Sequence, residues 1–202
     1  MEGLAERLRR IAEVHPDGLL FVARGYLLGR KGTPQAWAEA EQAFLQGAEA
    51  PSIVPLRRAA LFGAASCQCA LARGGPHEKK AEKRRRAAQG LHKVVALGVR
   101  PELAYQYSVM AISLEEWEVA HWVLSEWERQ APRDPRLPGQ WVMLAFHSGA
   151  YGRALELVNQ IVKQNPKEAG RWEALRKEAA ARLRKQLEAV PPPRNAPPVG
   201  QL

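Results

Sequence analysis

The chain has 202 residues, 46% hydrophobic and 25% charged, with a formal net charge of +9. That is enough for a substantial core and an ordinary globular balance. No apolar run approaches the roughly 18 residues that span a bilayer, and the opening Met1-Glu2-Gly3-Leu4-Ala5-Glu6-Arg7 lacks the apolar centre of a signal peptide. Ala, Leu, Arg, Glu and Gln dominate and Thr33 is the sole threonine, a bias toward helix over strand. Cys67 and Cys69 stand two apart in a helical stretch and point to different faces. They form no disulfide framework and supply too few ligands for a metal site, which fits a reducing cytoplasm.

Glu2 to Val14 carries Leu4, Leu8, Ile11 and Val14 along one side and predicts an amphipathic helix. It ends at His15-Pro16, because the residue before proline is driven out of the α region. Gly18 to Arg30 predicts the next helix, with Phe21, Gly25 and Leu28. After Lys31-Gly32, Thr33 is the candidate N-cap and Pro34 opens a third helix bearing Trp37, Ala40 and Phe44. Ala50-Pro51-Ser52 closes it. Ile53 to Arg73 predicts a long, alanine-rich helix with Gly63 inside, where small residues admit a close neighbour; Gly74-Gly75-Pro76 ends it. A basic helix from His77 to Leu97 would pack through Ala87, Leu91 and Val94 or Val95, stopping at Gly98 and Pro101. Two helix pairs follow, Glu102–Ser113 with Glu115–Gln130 and Leu137–Ser148 with Tyr151–Gln164. The acids Glu115, Glu116 and Glu118 suit a helix N-terminus. Glu168 to Val190 predicts a charged helix with Trp172, Leu175, Ala179, Leu183 and Leu187 on one face. Pro191–Leu202, with five prolines, reads as a disordered tail.

The stretch from Pro101 to Glu168 is one unit written twice. A shift of 34 residues brings Pro101 onto Pro135, Tyr107 onto Trp141, Trp117 onto Tyr151 and Ala120 onto Ala154. It also brings Leu124 onto Val158, Trp127 onto Ile161 and Pro132 onto Pro166. Repetition at this period marks stacked helix pairs. Trp37, Ala40 and Phe44 keep the spacing of Trp117, Ala120 and Leu124, and Leu8, Ile11 and Pro16 keep that of Leu124, Trp127 and Pro132. The first helix therefore reads as the second half of a unit whose first half is missing.

The run Gly149-x-Tyr151-x-x-Ala154-x-x-x-Val158-x-x-Ile161 followed by Pro166, echoed from Glu115 to Pro132, resembles the tetratricopeptide repeat family. The resemblance implies an all-α fold, a right-handed α-solenoid of antiparallel pairs with a C-terminal capping helix. Its parts would be a half-repeat at 1–16, degenerate repeats at 17–52 and 53–100, repeats at 101–134 and 135–168, a cap at 169–190 and the tail at 191–202. It further implies a concave groove for a peptide or partner protein, with no catalysis and no cofactor. By carry-over the groove would hold Tyr105, Gln106, Val109 and Ile112, then Arg136, Gln140, Met143, Phe146 and His147. Tyr105, Met143 and Phe146 would supply apolar contact, and Arg57, Arg136 and Gln140 polar contact. The carboxylate clamp of the co-chaperone subset is not expected, because Asn159, Asn165 and Asn195 fall on no first helix.

No nucleophile elbow, phosphate loop or paired-histidine motif is present; His15, His77, His92, His121 and His147 are scattered. Trp117 and Trp127 hold repeat positions and are expected in the core, as is Trp122. Residues 77–100 carry eight Lys/Arg against two Glu, and 101–134 carry two Arg against seven acids. Lys79, Lys80, Lys83, Arg84, Arg85 and Arg86 thus form a candidate basic patch, read mainly as a solvated face beside an acidic neighbour. The expected role is a cytoplasmic protein-binding scaffold or adaptor. The alternatives are a nucleic-acid-associated repeat protein using residues 79–86, and the C-terminal docking part of a larger bacterial signalling protein such as a Ser/Thr kinase.

Overall fold

A computed structural model describes residues 2–14, 17–50, 52–74 and 77–189. Among these residues there are ten α-helices and one short 3-10 turn, and no strand. The helices are α1 (Glu2–Val14), α2 (Gly18–Gly29), α3 (Pro34–Glu49), α4 (Val54–Gly74) and α5 (His77–Ala96). They continue with α6 (Pro101–Leu114), α7 (Trp117–Gln130), α8 (Leu137–His147), α9 (Tyr151–Gln164) and α10 (Ala169–Ala189), with the 3-10 turn at Pro166–Glu168. None is long and apolar enough to cross a membrane. The chain divides into two compact units at Asp134/Pro135.

The start chemistry expected at Thr33 acts there, and Asp17 supplies a second cap that was not anticipated. The Thr33 hydroxyl accepts from the Ala36 amide at 3.2 Å and the Asp17 carboxylate from the Leu19 amide at 2.8 Å, satisfying amides at helix starts. Gly149, at φ +83°, turns the chain between α8 and α9. The breaks at His15-Pro16, Pro51 and Gly75-Pro76, and the tail at 191–202, lie outside the described residues.

In the first unit each helix from α1 to α7 packs on the next, and α2 also packs along α4. Phe44 of α3, 3% exposed, lies at the centre of this packing with Val22, Leu28, Ala40, Ala60 and Ala64. Its ring fits only because Gly25 of α2 and Gly63 of α4 carry no side chain. A Cβ there would come within 2.7 Å and 2.6 Å of the ring. Farther along, the buried Arg58 of α4 donates from Nη2 to the Leu97 carbonyl, and Gln130 of α7 donates to the Val99 carbonyl at 3.1 Å. These two bonds fix the link between α5 and α6. Trp127 is fully buried, and its Nε1 donates to Asp134 at 3.2 Å.

Several expectations are corrected. On α1 the buried residues are Ala5 and Ala12, while Leu4, Ile11 and Val14 are exposed. The helix packs on α2 through its small residues, so the large apolar ones lie on its flank. Helix α7 begins at Trp117, not Glu115. Glu115 is left-handed at φ 64°, and the amides of Glu115 and Glu116 close the end of α6 on the Ile112 and Ala111 carbonyls. Glu115 and Glu116 therefore sit in the turn, where Arg84 and His92 of α5 meet them at 3.0 and 3.1 Å. Trp117 is half-buried, and Trp122, on the outward side of α7, is 44% exposed rather than core.

In the second unit α9 packs between α8 and α10. Trp172 of α10 closes a cluster with Val142 and Val158, and Ala179 closes another with Ala145, Phe146 and Ala154. Leu187, expected on the same packing face, is exposed, since α10 runs on past the apolar surface it covers.

The two glycines at Phe44 oppose two magnitudes. Replacing a mid-helix glycine by alanine gains about 0.5–1 kcal/mol of propensity, whereas overpacking costs about 1–3 kcal/mol. Gly25→Ala and Gly63→Ala are expected to lower stability in urea titrations by about 1 kcal/mol or more. Gly29→Ala, whose Cβ meets nothing within 4 Å, should not lower it.

Candidate functional site

On α6 the exposed residues are Glu102, Tyr105, Gln106, Val109 and Ser113. At about 100° per residue they occupy a strip of roughly 100°. Tyr105, Gln106 and Val109 of the expected groove share it. Ile112 does not: it falls just beyond the strip's edge and is 8% exposed, covered within the unit.

On α8, Arg136 and His147 are exposed and Met143 is half-buried. Gln140 and Phe146, expected as ligand contacts, are buried. The reason is α10. Arg182 lays its guanidinium 5.3 Å from the Phe146 ring centre, while donating to the Tyr151 hydroxyl at 3.2 Å. Tyr151 meets the same ring edge-on at 5.6 Å. The face that Phe146 would offer a partner is thus covered by the chain itself. Arg57 of α4 is exposed.

The six basic residues of α5 do not act as one patch. Arg84 turns to Glu115, and Lys83 donates to the Leu71 carbonyl at 3.4 Å. Lys80 is half-buried, whereas Lys79, Arg85 and Arg86 are exposed, Arg86 beside Glu82 of its own helix at 2.5 Å. The opposite side of α5, with Ala87, Leu91, Val94 and Val95, is buried as its spacing predicted.

A recess with no counterpart among the sequence-derived site residues opens in the first unit. It is a pocket of about 280 Å³ lined by the aromatic side chains of Tyr26, Trp37, Phe44 and Phe62. Gly25, Gly29 and Gly63 contribute bare backbone, and Arg30 and Cys67 are further wall residues. The edge of Tyr26 meets Phe44 at 5.1 Å, and Phe62 packs on Tyr107 of α6 at 5.0 Å. Residues from three separate helices make this wall, so no local motif announces it; the nearest signal is the pair of small residues at 25 and 63.

Two titratable groups around the pocket are strongly shifted. Burial pushes the Cys67 thiol up to about 11, with the nearby Glu41 carboxylate adding to it. Burial likewise pushes the Tyr107 hydroxyl up to about 12, against the opposing pull of the Arg58 and Arg100 guanidiniums. The Tyr107 hydroxyl has no hydrogen-bond partner among the described residues. No group of three or more His, Cys, Asp or Glu side chains able to hold a metal occurs among them either.

No protein-family model matches the chain, and no significant match to it was found among curated proteins or solved structures.

Both thiol and hydroxyl shifts are upward, so each group stabilises the fold while neutral and withdraws that support as pH rises past its unfolded value. The windows run from about pH 9 to 11 for Cys67 and from about 10 to 12 for Tyr107. A shift of about two units amounts to ~2–3 kcal/mol. Urea unfolding across this range should show Tyr107→Phe escaping the upper loss. At neutral pH it should be as stable as the parent, or more so, because no partner is stranded. A parent whose stability stays flat to pH 12 would contradict the assignment.

Proposed function

We propose that the chain is a protein–protein interaction scaffold or adaptor built of tetratricopeptide-like helix pairs. In this reading it is a right-handed α-solenoid, and a peptide or partner-protein segment docks on the side formed by the first helix of each pair. One observation carries it. Within the first unit α2 lies along α4, Phe62 of α4 packs on Tyr107 of α6, and the aromatic pocket opens between α2, α3 and α4. First helices of successive pairs as neighbours are what stacked repeats require.

The pocket sets the mode of recognition. Small-molecule sites occupy about 300–1,000 Å³ and are lined mainly by apolar groups with a few placed polar ones. This pocket, at about 280 Å³, is lined almost wholly by aromatic and small residues, with Arg30 as its cation. Such a recess fits one large apolar side chain of a partner, the buried anchor on which peptide recognition depends. The strip of Tyr105, Gln106 and Val109 on α6 offers further exposed contact surface. Phe146 and Gln140 drop out of the contact set because they are buried. No cofactor or catalytic group enters the reading.

Panning a displayed library of random linear peptides on the chain tests it. Enriched sequences should share a Trp, Phe or Leu anchor. They should lose at least about tenfold in affinity, about 1.4 kcal/mol, for Gly29→Leu. A Cβ at Gly29, a pocket-lining residue, meets nothing within 4 Å, so this variant should melt no lower than the parent. Absence of enrichment, or enriched peptides that bind Gly29→Leu undiminished, would refute the proposal.

A further inference from the structure

The solvent-exposed cations of α5 form a surface of a different kind. Lys79, Arg86 and Lys93 follow one another at seven-residue intervals and are all exposed, with Arg85 exposed beside them. Seven residues are two turns less about 20°, so the three share one side of the helix, ~10.5 Å apart along its axis. Ala87 and Val94, each next in sequence to a member of the row, and Leu91 are buried about 80–140° around the axis from it. The only carboxylate among the described side chains of this helix is Glu82, paired with Arg86. Glu115 and Glu116 of the acidic neighbour are engaged by Arg84 and His92, so neither pairs with a cation of the row.

We infer that this row is a docking surface for double-stranded nucleic acid, gripped through its phosphate backbone without preference for sequence. Charge complementarity carries the choice, together with what the surface lacks. Protein interfaces depend on buried apolar and aromatic anchors, and none of the exposed large apolar side chains lies on α5. Insertion into a membrane surface needs apolar residues on the docked face for the same reason. Single strands are held by stacking on aromatic rings, and the α5 sequence contains no Phe, Tyr or Trp. A duplex backbone asks for none of these. It needs spaced cations, and two of them ~10.5 Å apart can reach phosphates on both walls of a major groove roughly 12 Å wide. Sequence readout is not expected, since side chains suited to bidentate base contacts would have to enter the groove past this row.

Fluorescence anisotropy with a labelled duplex of mixed sequence tests the inference on the full chain. Four neutralised phosphates give a slope of about −3.6 in log K against log salt, so binding should weaken on the order of 100-fold between about 50 and 200 mM salt. Replacing Lys79, Arg85, Arg86 and Lys93 together by Gln should abolish that slope. The control replaces Lys163, Arg176, Arg184 and Lys185 by Gln; all four are exposed on α9 and α10, and the loss of net charge is equal. It should bind the duplex nearly as the parent does. If the fourfold α5 variant loses helicity, Arg85→Gln and Lys93→Gln singly carry the test, each reducing the slope by about 0.9. Equal loss in both fourfold variants would overturn the inference. So would tighter binding of a single strand of the same length, of polyglutamate, or of vesicles containing phosphatidylserine.

Discussion

The first unit is organised by the fit of one ring between two backbones. Phe44 reaches from α3 to the point where α2 and α4 run side by side, and Gly25 and Gly63 make room for it. Each glycine costs about 0.5–1 kcal/mol of helix stability against alanine, while full burial of the phenylalanine side chain returns about 1.5–3 kcal/mol. The two glycines together cost about 1–2 kcal/mol, which burial of the one ring they serve offsets. The arrangement has a second consequence. A helix stripped of side chains on one side leaves hollow space beside it, and Gly25, Gly29 and Gly63 are all pocket residues. The feature that sets the spacing of the helices also makes the recess.

Charge is divided in a comparable way. The acids at the end of α6 could have been spread along the basic helix, but the left-handed turn at Glu115 concentrates two of them at one place. There they meet Arg84 and His92 and help hold α5 to the turn. Exposed pairs of this sort contribute only about 0–1 kcal/mol each, so their importance lies in position more than in energy. They engage Arg84 and His92 at the turn and leave Lys79, Arg85 and Lys93 on the solvent side of α5. The pocket, rich in aromatic side chains, and the α5 row, which has none, are thus chemically unlike.

Helix limits were largely legible because single residues with strong backbone preferences set them. Thr33-Pro34, Gly149 and Asn165-Pro166 act within one turn of chain and need no tertiary context. What covers a helix was not legible. Periodicity in α1 singled out Leu4 and Ile11, yet Ala5 and Ala12 make the contact, because a neighbour that comes close selects small residues. Phe146 and Ile112 were placed on an open face by register alone, and α10 and the packing around α6 respectively covered them. Trp122 erred the other way, its size suggesting a core position that its side of α7 does not provide. The pocket was illegible for a stronger reason. Tyr26, Trp37 and Phe62 belong to different helices, and nothing in any one of them reports that the others converge.

The basic helix shows how much a charge count omits. Six Lys/Arg within eight residues mark residues 79–86 as the strongest feature of the composition. On a helix those eight residues wrap more than twice around the axis, so the charges cannot all face one partner. Helical phase sorts them: Lys83 and Arg84 bond inward, Lys80 is half-buried, and Lys79, Arg85 and Arg86 remain in solvent. The same phase adds Lys93, which lies outside the charged run but in line with Lys79 and Arg86. A partner bound here would therefore respond to Lys93 and be indifferent to the charge of Arg84, although Arg84 lies within the densest run. Any effect of Arg84 would pass through Glu115 and the turn after α6, and would appear as a change in stability and not in salt dependence.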